Sequence, residues 1–291
     1  MTGILLVDKE QGWTSSDVVA RLRRVLQERR IGHAGTLDPL ATGLLIVMVG
    51  RAAKASDYLM RHSKQYRASL RPGLVTDTQD ITGQILTQQD PDFSEQEFKA
   101  VLAHFRGEQM QIPPMYSAIK IGGEKLYEIA RRGGEVERAP RPVTIEEIVP
   151  EGREGENYIL RVRCSSGTYI RTLCHDIGHA LGCGACMTQL RRLSSGSYRV
   201  EDAHTIAEII SFAEAGKIGE LLIPVDSVFS ELEGITVEES DAARIRCGGI
   251  VPLVGEEDRR VRVYAPSGEF LMVGSIENGL LKTEKNFFEV S

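Results

Sequence analysis

Two short segments of this chain hold side chains that could carry chemistry, and a third holds side chains that could bind metal. The first is the loop Arg30-Ile-Gly-His-Ala-Gly-Thr-Leu-Asp-Pro-Leu-Ala-Thr-Gly43, which centres on Asp38. A residue before proline is pushed toward extended backbone. The glycines at 35 and 43 permit a tight turn or close approach to a ligand. A carboxylate displayed this way can serve as nucleophile or base. An isolated Asp-Pro describes equally well a turn whose carboxylate accepts backbone hydrogen bonds. The second is Ser166-Gly-Thr-Tyr-Ile-Arg-Thr-Leu173, where Tyr169 and Arg171 open a helical pattern. Taken alone, Arg171 is as well explained by a surface ion pair. The third is His175-Asp-Ile-Gly-His179 followed by Cys183-Gly-Ala-Cys186. Its donors suit zinc. However, only three residues separate the pairs, where a zinc finger uses about 12 to fold back, and Asp176 stands where a zinc-protease helix carries glutamate. No metal site is expected there. No phosphate-binding loop, dinucleotide fingerprint or serine elbow occurs.

The elements that must hold these groups follow from hydrophobic spacing. Gly3–Val7 and Leu44–Val49 are short continuous apolar runs and read as buried strands. Between them, Val18, Val19, Leu22, Val25 and Leu26 recur at helical intervals, behind a cap expected at Ser15 or Ser16. A short helix is expected over Arg51–Arg61 and a strand over Tyr66–Leu70. Ser94 with Glu97 forms a capping box ahead of Phe98, Val101, Leu102 and Phe105. The stretch 111–142, with Pro113-Pro114, Arg131, Arg132 and Arg138, reads as a basic excursion around a helix at Glu124–Arg131. Strands are expected at Val143–Ile148 and Tyr158–Cys164, then a helix near Tyr169–Leu181. After Pro224 short strand-like pieces alternate with turns such as Asn278-Gly279, the pattern of a small β-barrel.

At 291 residues with 42% apolar and 26% charged content, the chain suits a globular protein with a sizeable core. Five cysteines, an odd number, argue against a disulfide framework and for a reducing cytoplasm. No signal peptide or membrane-length apolar run is read in it. The net charge of −6 hides an asymmetry: residues 1–72 carry +6 and the remainder −12. A locally basic face can bind a polyanion despite the global sign.

The Asp38 loop, together with Gln65-Tyr66-Arg67-Ala68, Pro113-Pro-Met-Tyr-Ser-Ala118, Arg132-Gly133, Ser166–Leu173 and Gln189-Leu-Arg-Arg-Leu193, resembles the signature of the bacterial tRNA pseudouridine synthase B family. These segments fall in the family's order over roughly residues 3–230. One departure is Lys9-Glu-Gln-Gly12, where the family has Lys-Pro-x-Gly.

The resemblance implies an α+β fold, a mixed-sheet core flanked by helices, closed by a small C-terminal β-barrel of PUA-like type. It implies a catalytic domain over 1–230 and an RNA-binding domain over 231–291. The implied activity is isomerisation of uridine 55 in the T loop of tRNA, without metal, cofactor, membrane or obligatory protein partner. Asp38 matches the catalytic position and Arg171 the arginine paired with it. Tyr66, Tyr169 and Leu190 match the pocket that holds the flipped base, and His33 the residue that fills the space it leaves. Arg29, Arg30, Arg131 and Arg132, with Lys9 less firmly tied, are the expected RNA contacts. The competing reading is a non-enzymatic RNA-binding or tRNA-folding module on the same scaffold. A relative that works within a guide-RNA particle would be expected to carry longer basic tails.

Overall fold

A strand that is apolar at every position must be buried on both faces. The computed structural model, which describes residues 1–253 and 255–288, shows why Thr42–Val49 is one. Leu45, Val47 and Val49 enter one hydrophobic cluster with Leu5, Val7, Val18 and Leu22, while Leu44, Ile46 and Met48 enter a second with Ile4, Leu6 and Phe229. The two cores lie on opposite faces of one sheet.

In chain order the strands are β1 (Gly3–Lys9), β2 (Ile31–Ala34), β3 (Thr42–Val49), β4 (Lys64–Pro72), β5 (Leu74–Thr76), β6 (Ile85–Gln88), β7 (Gly107–Gln111), β8 (Lys120–Ile121), β9 (Glu124–Lys125), β10 (Arg141–Glu154), β11 (Asn157–Cys164), β12 (Ala185–Ser195) and β13 (Tyr198–Arg199). A later group comprises β14 (Glu233–Thr236), β15 (Val251–Pro252), β16 (Arg259–Tyr264), β17 (Phe270–Glu277) and β18 (Leu280–Asn286). The helices are α1 (Ser15–Val25), α2 (Ser56–Arg61), α3 (Glu95–His104), α4 (Leu126–Arg131), α5 (Ile170–Ala180), α6 (Ile206–Glu214) and α7 (Glu239–Arg246).

The large sheet runs β1-β3-β12-β4-β11-β10-β7, with β2 on β3 and β13 on β12. Only the short β3–β12 pairing is parallel, so the sheet is mixed, as expected. The later strands form a curled five-stranded sheet, β14-β16-β17-β18-β15, over their own core of Val261, Val263, Leu271 and Leu281 with Ala242 and Ile245 of α7. That arrangement is consistent with a PUA-like unit. No helix among the described residues is long and apolar enough to cross a membrane.

Local signals were read to within a few residues, with three corrections. The α1 cap is Thr14, not Ser15 or Ser16: its hydroxyl accepts from Asp17 N while Asp17 returns a bond to the Thr14 backbone. Ser15 instead turns inward and exchanges hydrogen bonds with Leu37. The helix expected over Arg51–Arg61 begins as a 3₁₀ turn, Gly50–Ala55, before α2. In the basic excursion Glu124 belongs to a two-residue strand, and α4 starts only at Leu126.

The glycines flanking Asp38 make room for the protein itself. Gly43 pairs with Arg192 across β3 and β12, at φ +94°. A Cβ there would lie 2.4 Å from the Arg192 carbonyl oxygen. Gly35, at φ +80°, would place a Cβ 3.2 Å from an Arg192 guanidinium nitrogen. Both ends of the loop are therefore pressed against one residue of β12. Gly43→Ala is expected to lower stability by about 2–4 kcal/mol, from a left-handed backbone plus a clash with backbone that cannot yield. Gly12→Ala, at φ +87° with nothing within 4 Å of its Cβ, should lose only the strain, about 1 kcal/mol. Urea denaturation compares the two, and equal losses would contradict the close-approach argument.

Candidate active site

Asp38 lies in the loop between β2 and β3. Its carboxylate is about one-third exposed, and its Oδ2 lies 2.9 Å from Arg171 Nε. Arg171, on the first turn of α5, is only 4% exposed. A buried guanidinium needs an oxygen at nearly every donor. Arg171 Nη1 donates to the Thr78 carbonyl at 3.0 Å and Nη2 to the Tyr116 carbonyl at 2.9 Å. A second carboxylate, Asp80, stands 3.6 Å from Nη1. Asp80 is buried and is itself held by Thr78 Oγ1 and by the amide and hydroxyl of Thr82. The adjoining Gln79 takes φ +65° and accepts from Thr172 Oγ1. The β5–β6 hairpin thus clamps the start of α5, and that clamp aims Arg171 at Asp38.

The pair stands in a cavity of about 670 Å³ whose lining includes His33, Tyr66, Tyr169 and Leu190. Of the residues singled out in the sequence, these six share one space. Tyr66 comes from β4 and Leu190 from β12, adjacent strands. Burial pushes the Tyr66 phenol up, and the Arg192 guanidinium opposes that rise as a charge and a hydrogen-bond donor. Burial likewise raises the Tyr169 phenol and lowers the His33 imidazole, with Arg192 adding to the latter. His33 Nδ1 is buried with no hydrogen-bond partner among the described residues.

The cationic candidates lie elsewhere. Lys9 is wholly buried, and its Nζ donates to the Glu10 and Trp13 carbonyls at 2.9 and 2.7 Å. It therefore braces the turn before α1, with its amine turned to the backbone. Burial brings its amine down to about 8. Arg29 and Arg30 are exposed beyond α1, with Arg30 near Glu28 at 3.7 Å. Arg131 lies over the Tyr127 ring, and Arg132 pairs with Glu124. None of these lines the cavity.

Four groups around the site carry no signal in the sequence. Asp80 and the Thr78 carbonyl lie in Asp77-Thr-Gln-Asp80, a turn-like string with no outward mark of burial. Lys64 lines the cavity with its amine on the Met60 and His62 carbonyls, lowered by burial to about 8. Arg192 lies in Gln189-Leu-Arg-Arg-Leu193, where nothing in the spacing marks its burial. It is 1% exposed and donates to the Leu44 and Gly35 carbonyls at 2.6 and 3.1 Å.

The His175/His179/Cys183/Cys186 spacing does not converge. Among the described residues no group of three or more His, Cys, Asp or Glu side chains could hold a metal ion. Both cysteines are buried, the Cys183 thiol donates to the Gly184 carbonyl, and burial pushes the Cys186 thiol up to about 11.

Known proteins resemble the chain throughout. The model of the TruB family pseudouridylate synthase N-terminal domain matches residues 23–170, and that of the tRNA pseudouridylate synthase B C-terminal domain matches residues 171–230. The tRNA pseudouridine synthase B of Dechloromonas aromatica (strain RCB) is 43% identical, over 99% of this chain and 96% of its own. That of Bacillus pumilus (strain SAFR-032) is 40% identical, over 94% and 92%. Among solved structures, a Cbf5-Nop10-Gar1 complex contains a chain that superposes with a TM-score of 0.74 at 26% identity, covering 99% of this chain and 85% of that one. Matched over both family models and nearly its full length, the chain belongs to the TruB family of pseudouridylate synthases.

Proposed function

We propose that this protein converts uridine 55 in the T loop of tRNA to pseudouridine, with no cofactor, no metal and no obligatory protein partner. The observation that carries this reading is the Asp38–Arg171 pair, set in a cavity walled by Tyr66, Tyr169 and Leu190. Its setting is the bacterial cytoplasm, as for a tRNA-modifying enzyme of bacterial relatives. The chain divides into a catalytic part, residues 1–230, and an RNA-gripping part, residues 231–291.

Isomerisation breaks the N1–C1′ bond, turns the freed uracil and rejoins it through C5, with no redox change and no group donor. A uridine inside an RNA loop must first leave the stack, and a flipped base must be received by a shaped pocket. Tyr66 offers a ring for stacking, worth roughly 1–3 kcal/mol per base. Asp38 supplies the nucleophile or base, aimed by Arg171. Tyr66 then takes the proton from C5 as the new C-glycoside regains aromaticity. His33 fills the gap the base leaves, and Arg29, Arg30, Arg131 and Arg132 meet phosphates. The surface pairs of Arg30 and Arg132 are worth little in water and can be exchanged for phosphate.

Tritium release from 5-tritiated uridine in a T-loop transcript, without added cofactor, tests the whole reading. Binding without release would favour the RNA-folding alternative. Asp38→Asn should fold and bind RNA, because Arg171 keeps Asp80 and two carbonyls, but should release no tritium. Substantial turnover would remove Asp38 from the chemistry.

Tyr66→Phe keeps the ring and deletes the hydroxyl. It should bind T-loop RNA within a few-fold of the parent yet release tritium roughly 10²–10⁴-fold more slowly. A loss confined to binding would reduce Tyr66 to a wall. Exhaustive chelation should leave the parental rate unchanged, and elemental analysis should find no stoichiometric zinc; one tightly held zinc per chain would contradict this.

A further inference from the structure

We propose that Arg192 is a positioning residue of this active site: its buried guanidinium, seated across the sheet from Tyr66, orients the phenol oxygen and supplies the positive charge against which that oxygen works. The inference rests on the reading of Tyr66 as the acceptor of the C5 proton.

The geometry begins with register. Arg192 on β12 and Tyr66 on β4 are direct partners in an antiparallel ladder. Directly opposed residues project to the same face with Cβ atoms about 5 Å apart. Both line the cavity that holds Asp38. Arg192 has little freedom to point elsewhere, since it is fully buried and bonded to carbonyls from two other segments, Leu44 of β3 and Gly35 of the Asp38 loop. The absent side chain of Gly35 leaves the space its guanidinium occupies. The molecule has therefore used a left-handed glycine, a backbone pairing and two hydrogen bonds to fix one guanidinium behind one tyrosine.

A buried arginine with no carboxylate at bonding distance among the described residues is costly to retain for packing alone. The charged and titratable groups that face the Tyr66 phenol are Arg192 from β12, Asp38 from its loop, the Cys164 thiol from β11 and Lys64 two residues earlier on β4. Burial, the Cys164 thiol and the Asp38 carboxylate all make a phenolate harder to form, and Arg192 opposes them. A cation that can act both as a field and as a hydrogen-bond donor favours the ionised form of its neighbour.

The proton transfer balances. Once C5 is joined to C1′, C5 still carries its hydrogen and N1 of the ring lacks one. The phenolate oxygen takes the C5 proton, the electron pair of that bond restores the C5–C6 double bond, and N1 takes a proton from water. The phenol then returns its proton to solvent, so nothing is consumed. Arg192 never touches the base in this scheme.

A double-mutant cycle with Tyr66→Phe tests the inference, read by single-turnover tritium release from 5-tritiated T-loop RNA at saturating enzyme. Arg192→Gln removes the charge and keeps an amide donor. It should slow release by about 10–100-fold at neutral pH, leave RNA affinity within a few-fold, and displace the rising limb of rate against pH upward. Arg192→Lys, which keeps the charge, should hold that limb near its parental position. In the Tyr66→Phe background the Arg192→Gln change should lose less than about twofold, because the hydroxyl it serves is gone. Equal losses in both backgrounds would overturn the inference while leaving Tyr66 as the base. Tyr66→Phe releasing tritium at the parental rate would overturn both readings together. Should Arg192→Gln fail to melt cooperatively, the same cycle is run with Arg192→Lys. Its smaller rate loss must likewise vanish with the hydroxyl, and a loss that persists overturns the inference.

Discussion

A guanidinium withdrawn from water has to be surrounded by oxygen, and Arg171 draws that oxygen from three separate parts of the chain. Asp38 comes from the loop after β2, Thr78 and Asp80 from the β5–β6 hairpin, and Tyr116 from the basic excursion, all meeting a side chain on the first turn of α5. Removing one partner from such a set leaves a charge partly unpaired, which is far more costly than never having built the set. The clamp therefore serves stability and aim at once. It also accounts for the hairpin, whose outer strand β6 is fully exposed and adds little to the core. What the hairpin contributes is its connecting loop, where Gln79 is held at a left-handed angle between Thr78 and Asp80.

Arg192 poses the same problem with a different solution. Its oxygens are mainly backbone, and the chain adapts to it instead of the reverse. Gly35 and Gly43 bracket Asp38 in the sequence as if to let a substrate approach, yet the body each one accommodates is Arg192. The Asp38 loop is consequently indexed to β12 at both ends. Since β12 also carries Leu190 and pairs with the strand bearing Tyr66, the loop, the apolar wall and the phenol share one frame.

What could be read from the sequence was local. The Ser94–Glu97 box, the helical stripe of α1 and the unbroken apolar run of β3 each announce their structure within a few residues, and each is found. The misplaced α1 cap was also legible, because of Thr14, Ser15 and Ser16 only Thr14 has an acidic residue three positions on. Strand β7, Gly107-Glu-Gln-Met-Gln111, went unread because an edge strand with most residues exposed has neither alternation nor an apolar run. The gathering of Asp38, Tyr66, Tyr169, Arg171, Leu190 and His33 was reached through resemblance to a family, not through spacing. Arg192 shows why spacing fails: its importance depends on standing opposite Tyr66, and register between strands more than 120 positions apart leaves no trace in either strand alone.

The charge asymmetry acquires a physical meaning from these placements. The region around the cavity buries or half-buries Arg171, Arg192, Lys64 and, beneath the loop, Lys9, against the carboxylates of Asp38 and Asp80. Burial draws both lysines down to about 8, yet that still leaves them mostly protonated near neutrality. The site therefore keeps a positive excess inside a chain whose net charge is −6. Low-dielectric walls concentrate such a field at the mouth of a cleft. A field of that sign attracts a phosphate-bearing strand toward the cleft, while the acidic remainder of the chain discourages it from settling elsewhere.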